Sequence, residues 1–386
     1  MDFSLTSDQS ALLDGLTATL EPFDDAYWLA CDRDSAFPNA FVRAMADGGW
    51  LGIAMPVELG GSGLGVTEAA LMMYEVARRG GMSAASAIHM NIFGPKSLAE
   101  FGTEDQKARW LPDIIAGRKR ACFSVTEPNT GLDTTKLKTR AIRQGDRYTV
   151  NGRKIWCSTA QVADKIMLLA RTADYDADAP TEGLSLFYTD LDRNAVEVRL
   201  IEKMGRAAVD TNELFIDNFN IPADDLVGEE GKGFRYILQS LNPERILIAS
   251  EAVGIAMSAL ERATQYAKDR EVFDRPIGQN QSIQHPLAEG WARLQAARLL
   301  CLQAATLYDA GKPCGVEANA AKFLAAETGM EVCKQAIATH GGMGYAKEFH
   351  VERLFREMFV PYLAPVSQQL ALSYVAERAL GLPKSY

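Results

Sequence analysis

The sequence predicts an α+β protein of three consecutive domains. An N-terminal helical domain covers residues 1–118, a middle β-barrel or β-sandwich domain covers 119–228, and a C-terminal four-helix-bundle domain covers 229–386. Three observations predict this order. Apolar residues recur at helical spacing up to about residue 118, the period drops to two between 119 and 228, and long Ala- and Leu-rich runs of helical period follow to the end. At 386 residues the chain can bury two or three cores, and no internal repeat disturbs the order.

In the first domain, Ala69, Leu71, Met72, Tyr74 and Val76 mark one helix, and Trp110, Leu111, Ile114 and Ile115 mark another. Phe37-Pro38, Met55-Pro56, Gly60-Gly61 and Gly94-Pro95 punctuate them, and residues 50–56 read as a connector between helices. In the middle domain, two strand-like runs, 148–150 and 153–156, flank Asn151-Gly152, which predicts a hairpin turning at that dipeptide. Residues 166–170 and 184–188 predict short apolar strands, and Leu214-Phe215-Ile216 ahead of Asn220-Ile221-Pro222 closes the set. In the last domain, 246–266, 285–307 and 317–338 predict helices packed side by side.

Composition excludes several classes. An apolar fraction of 47% with 23% charged residues fits a folded globular chain. The formal charge, 40 − 50 = −10, argues against general nucleic-acid binding, which relies on clustered Lys and Arg. No run of about 18 apolar residues is present to span a membrane, and Met1-Asp2-Phe3-Ser4 lacks the basic and apolar segments of a signal peptide. Six cysteines, at 31, 122, 157, 301, 314 and 333, form no C-x-x-C pair, and only four histidines are present. The expectation is reduced thiols, no metal and a cytoplasmic location. His285, His340 and His350 read as structural residues.

Three motifs carry chemistry. The middle domain opens on Phe123-Ser124-Val125-Thr126-Glu127-Pro128 and continues to Lys154-Ile155-Trp156-Cys157-Ser158; the last domain holds His340-Gly341-Gly342-Met343-Gly344-Tyr345. Their order and spacing along the whole chain resemble the acyl-CoA dehydrogenase family of flavoproteins. The resemblance implies FAD as cofactor, an acyl-CoA substrate and an electron-transfer flavoprotein as electron acceptor. It also implies fatty-acid β-oxidation as the setting and a homotetramer. In such a protein a flavin accepts a hydride from the β-carbon while a base removes the α-proton. By resemblance, Phe123, Val125, Thr126, Trp156 and Ser158 contact the flavin ring. Arg270, Phe273 and Gln281, in the segment 269–281, reach across a subunit interface to its pyrophosphate and adenine half, together with Gly341 and Gly342. An Arg fork suits paired anionic oxygens, and paired glycines admit close backbone approach. Ala338 stands where the family usually has a Gln contact to the cofactor.

The same resemblance directs the search for the base. In most of the family a Glu near the C-terminus removes the α-proton; counting from Arg356-Glu357 places Ala364-Pro365-Val366-Ser367 there, and proline cannot take a proton. Ser367 is expected to keep a flavin contact. A minority of the family, the isovaleryl and long-chain types, carries the base on a helix of the last domain, and Asn242-Pro243-Glu244-Arg245 matches that pattern. Glu244 is therefore the candidate base, with Asn242, Arg245 and Leu132 assigned to the substrate. Proline at 365 also lacks the backbone N–H that commonly holds the thioester oxygen. Two alternatives keep the fold: a dehydrogenase of acyl- or aminoacyl-carrier-protein thioesters, and an oxygen-reactive or non-dehydrogenase flavoprotein relative.

Overall fold

The computed structural model describes residues 4–385; Met1 to Phe3, part of the chain start read above, and Tyr386 lie outside it. The first six helices are α1 (Ser7–Leu20), α2 (Asp25–Asp34), α3 (Asn39–Asp47), α4 (Val66–Phe93), α5 (Pro95–Phe101) and α6 (Glu104–Ile115). Their starts are written locally. Thr6 and Gln9 cap α1 reciprocally, and Thr103 and Gln106 do the same for α6, so backbone donors that a helix start leaves bare are satisfied. The connector at 50–56 contains a short 3₁₀ turn, Trp50–Gly52.

Eight strands follow: β1 (Ala121–Ser124), β2 (Arg140–Gln144), β3 (Arg147–Ser158), β4 (Lys165–Arg171), β5 (Leu184–Asp190), β6 (Val196–Leu200), β7 (Thr211–Pro222) and β8 (Leu226–Val227). They form one sheet in the order β6-β7-β3-β2-β4-β5-β8, with β1 added in parallel to β4. Nearly every residue of β4 and β5 is buried. One side of the sheet encloses Tyr148, Val150, Phe187 and Phe219; the other packs Leu169, Leu186 and Tyr188 on Trp110, Leu111 and Ile114 of α6. Burial on both sides is why these two strands are continuously apolar rather than alternating.

The hairpin expected at Asn151-Gly152 is not there. β3 runs straight through the dipeptide, and the chain reverses instead at Gly145-Asp146, between β2 and β3. Asn151-Gly152 marks a register shift against β7, and a Cβ on Gly152 would collide with Thr139. Glycine serves close backbone approach at a bulge here, not a turn.

The last domain is built on α7 (Gly233–Asp269), α8 (Gln281–Asp309), α9 (Gly315–His340), α10 (Val351–Leu363) and α11 (Gln368–Leu380). A hairpin of two short strands, β9 (Glu271–Val272) and β10 (Arg275–Pro276), joins α7 to α8. The helix expected from residue 246 starts thirteen positions earlier, and Pro243 lies buried inside it. Small residues such as Ala252, Ala256, Ala321 and Ala325 bring α7 and α9 close, and α7 also packs on α4. A Cβ on Gly254 of α7 would run into the Tyr74 carbonyl of α4, so these two backbones touch. Among the described residues no helix is long and apolar enough to cross a membrane.

Candidate active site

Glu244 sits on α7 with 9% of its surface exposed, and its Oε2 is buried with no hydrogen-bond partner. Burial pushes its carboxyl up to about 7; His89 and Arg245 oppose that rise, and Glu251 adds to it. A carboxylate that is buried, unpaired and titrating near neutrality has the properties of a general base. Arg245, next in the chain, donates from Nη1 to Asn242 Oδ1 at 3.1 Å, so the two candidates on either side of Pro243 and Glu244 hold one another.

A buried polar network lies beside Glu244. His89 Nδ1 and Glu251 Oε1 are 2.6 Å apart, on α4 and α7. The His89 ring lies 4.9 Å from that of Phe93, and Phe93 meets Phe123 edge-on at 5.7 Å. Arg206, buried in the connection between β6 and β7, donates to Ser86 Oγ at 3.1 Å, Ser158 Oγ at 3.0 Å and Thr211 Oγ1 at 2.6 Å. Its Nε is buried without a partner. A chain of contacts thus links α4, α7 and the strands that carry Phe123 and Ser158.

The candidate ring-binding residues gather at β1 and the end of β3. Ile155 N–H donates to the Thr126 carbonyl at 2.9 Å, which joins the two motifs directly. Lys154, fully buried, donates to the Val125 carbonyl at 2.9 Å and to Glu127 Oε1 at 3.0 Å; Glu127 also accepts from the Lys138 and Thr139 N–H groups. Glu127 is therefore the anchor of the Val125-Thr126 segment. Replacing Lys154 with Met leaves that carboxylate buried without its cation, which destabilises by about 3–5 kcal/mol. The expected readout is reduced flavin retained per chain after gel filtration, together with a lower melting temperature. At Trp156, where the register against β7 shifts a second time, φ is +63° and the ring is 59% exposed. A bulge that holds a large aromatic side chain out in this way serves a ligand or partner better than it serves the core.

Arg270, Phe273 and Gln281 are grouped elsewhere. Arg270 ends α7, Phe273 lies in the hairpin with φ +52° and 93% exposure, and Gln281 opens α8. From Glu244 to Arg270 is 26 residues of one helix, about 39 Å at 1.5 Å per residue. His340 stacks on Tyr266 at 4.3 Å, which puts the exposed Gly341 and Gly342 at the same far end of α7. One chain therefore carries two separated groups of candidate residues. A Cβ on Gly341 or Gly342 would meet no atom within 4 Å, so both face open space.

Leu132 is 64% exposed in the loop after β1. Ser367 caps α11, accepting from Leu370 N–H at 3.2 Å. The 362–368 segment around Pro365 is gripped by buried Lys322, which donates to the Tyr362 and Val366 carbonyls at 3.3 and 2.7 Å and to Gln368 Oε1 at 2.7 Å. Burial pushes that ammonium down to about 8. His89, Glu251, Arg206 and Lys322 are buried polar residues around the candidates that the sequence reading missed.

The residues present fit a flavin. Trp156 offers an exposed ring, and the Ser158 hydroxyl accepts from Arg206, which leaves its own O–H free to donate. Glu244 Oε2 is buried without a hydrogen-bond partner.

Sequence-family models match three successive parts of the chain: "Acyl-CoA dehydrogenase, N-terminal domain" over 6–118, "Acyl-CoA dehydrogenase, middle domain" over 122–219 and "Acyl-CoA dehydrogenase, C-terminal domain" over 231–380. The acyl-CoA dehydrogenase FadE12 of Mycobacterium tuberculosis is 33% identical over 393 aligned positions, covering 100% of this chain and 99% of that one. The caffeyl-CoA reductase–Etf complex subunit CarC of Acetobacterium woodii is 36% identical over 327, covering 84% and 86%. The solved structure of butyryl-CoA dehydrogenase from Megasphaera elsdenii superposes with a TM-score of 0.92 at 29% identity, covering 98% of this chain and 100% of that one.

Proposed function

The chain belongs to the acyl-CoA dehydrogenase family of flavin-dependent oxidoreductases, and on that premise we propose that it desaturates an acyl-CoA thioester to the trans-2-enoyl-CoA with Glu244 as base. The observation that carries this reading is the buried, unpaired Glu244 carboxylate titrating at about 7. FAD, when bound, supplies the hydride acceptor for the β-carbon. Glu244 takes the α-proton onto its carboxylate and becomes a neutral acid, the form its burial favours. Phe123, Val125, Thr126, Trp156 and Ser158 hold the ring, with Arg206 orienting the Ser158 hydroxyl. Leu132, Asn242 and Arg245 border the substrate. Ser367 accepts a hydrogen bond at the start of α11, so its O–H can still donate to the flavin.

Arg270, Phe273, Gln281, Gly341 and Gly342 hold the pyrophosphate and adenine half of a cofactor bound mainly by a second copy. The separation of about 39 Å along α7 supports this, since one cofactor cannot span both half-sites within a chain. By likeness to the family we assign a homotetramer as the assembly, and the likeness to a subunit of a caffeyl-CoA reductase–Etf complex supports an electron-transfer flavoprotein as acceptor. A cytoplasmic location and fatty-acid β-oxidation are the setting we assign.

Anaerobic mixing of the FAD-loaded protein with saturated acyl-CoA thioesters tests the reading. We expect the flavin absorbance to bleach and the enoyl-CoA to accumulate. Bleaching only by carrier-protein thioesters, or none by any thioester, contradicts it. The proton-accepting form of Glu244 is lost as pH falls through its pKa, so the bleaching rate should decline about tenfold per pH unit below about pH 7.

A further inference from the structure

A buried pair, His89 and Glu251, lies beside Glu244. Glu251, fully buried two helical turns further along α7, shares a 2.6 Å hydrogen bond with His89 Nδ1. A carboxylate can only accept, so Nδ1 carries the proton and Glu251 fixes both the tautomer and the orientation of the ring. Residues seven apart on a helix of 3.6 per turn share a face, so Glu244 and Glu251 point to the same side of α7, the helix in backbone contact with α4.

The charged groups around the His89 ring are Glu251 and Glu244 from α7 and Arg206 from the β6–β7 connection. Arg206 is itself tied to Ser86, three residues before His89 on α4. Burial works against charge on His89, but the Glu251 carboxylate outweighs it, Glu244 adds to that pull and Arg206 opposes it, so the imidazole titrates above its ordinary value. Glu251 Oε2 and Glu244 Oε2 are both buried without hydrogen-bond partners. Two buried carboxylates thus act on one buried imidazole.

We propose that His89, clamped by Glu251, is a positioning residue for the proton-abstracting carboxylate: its imidazolium keeps Glu244 ionised and ready to accept the α-proton. This rests on Glu244 being the base. In the step itself the α-carbon C–H bond breaks, an O–H bond forms on Glu244, and His89 keeps both of its protons. Without the imidazolium, Arg245 is left to oppose burial and the like charge of Glu251, which both favour the protonated acid.

The test is an infrared pH titration of the FAD-loaded protein, reading the protonated-carboxyl band that disappears in Glu244→Gln. In the parent the band should titrate near pH 7; in His89→Gln its midpoint should rise by about one pH unit or more. His89→Lys, which keeps the positive charge, should restore a midpoint near the parent's. An unchanged midpoint in His89→Gln overturns the proposal. Should that variant fail to fold, the His89 ring carbon shifts in the unmutated protein carry the same information. They should show a second inflection at the Glu244 midpoint that is absent in Glu244→Gln, and its absence in the parent overturns the proposal equally. If the band shifts as expected while Glu244→Gln still desaturates acyl-CoA, the electrostatic coupling holds and the base assignment fails instead.

Discussion

Glu244→Gln should lower the rate of anaerobic flavin bleaching by an acyl-CoA by at least about 10³-fold, within the range that general bases contribute. The amide has the shape of the carboxyl but cannot take the proton. Flavin content should stay at the parent level, because Glu244 lies on α7 and not in the strands that carry the ring candidates. The same variant should be more stable than the parent at pH 8. The carboxyl rises from an ordinary 4.5 to about 7 on folding. Its favourable contribution is therefore complete below about pH 4.5 and is lost as pH rises through about 7. Gln avoids that loss, so the stability difference between variant and parent should open between pH 5 and 8 in thermal melts. Lower activity combined with higher stability at alkaline pH is the signature of a residue kept for chemistry.

Glu357→Ala should lower stability by about 3–5 kcal/mol, read as a lower urea midpoint. Glu357 is wholly buried on α10, and Arg353 Nη1 lies 3.4 Å from both of its oxygens. It also accepts from Ser83 N–H at 3.2 Å and Ser83 Oγ at 2.6 Å. These bonds hold α4 where Gly81, at φ +74°, interrupts its helical geometry; a Cβ there would collide with the Glu357 carboxylate. Removing the carboxylate strands the Arg353 cation in the core and frees the half of α4 that carries Ser86 and His89. Glu357→Gln, which can still accept from Ser83, should recover part of the loss. The effect on bleaching rate should follow stability.

Much of this architecture is written locally. Helical period, capping pairs such as Thr103 with Gln106, and the unbroken apolar runs in β4 and β5 announce elements whose burial then explains them. Asn151-Gly152 misleads because a tight turn and a β-bulge ask for the same small, conformationally free residues. The helix through Pro243 is equally hard to foresee, since proline argues for a helix start. Glu244 is visible through its sequence motif and through the proline that replaces the usual C-terminal base. His89 and Glu251 stand 162 positions apart, and only the packing of α4 on α7 brings them together. Arg206 and Lys322 escape for the same reason: their partners come from distant segments, which no local spacing encodes.

The claim on which the account turns is that Glu244 removes the α-proton. An acyl-CoA with sulfur in place of the β-carbon can lose an α-proton but cannot give up a β-hydride. Bound to the FAD-loaded protein in deuterium oxide, it should exchange its α-hydrogens in the parent, faster above about pH 7 than below it, and should not exchange in Glu244→Gln. Exchange that persists unchanged in Glu244→Gln would contradict the account and place the base elsewhere.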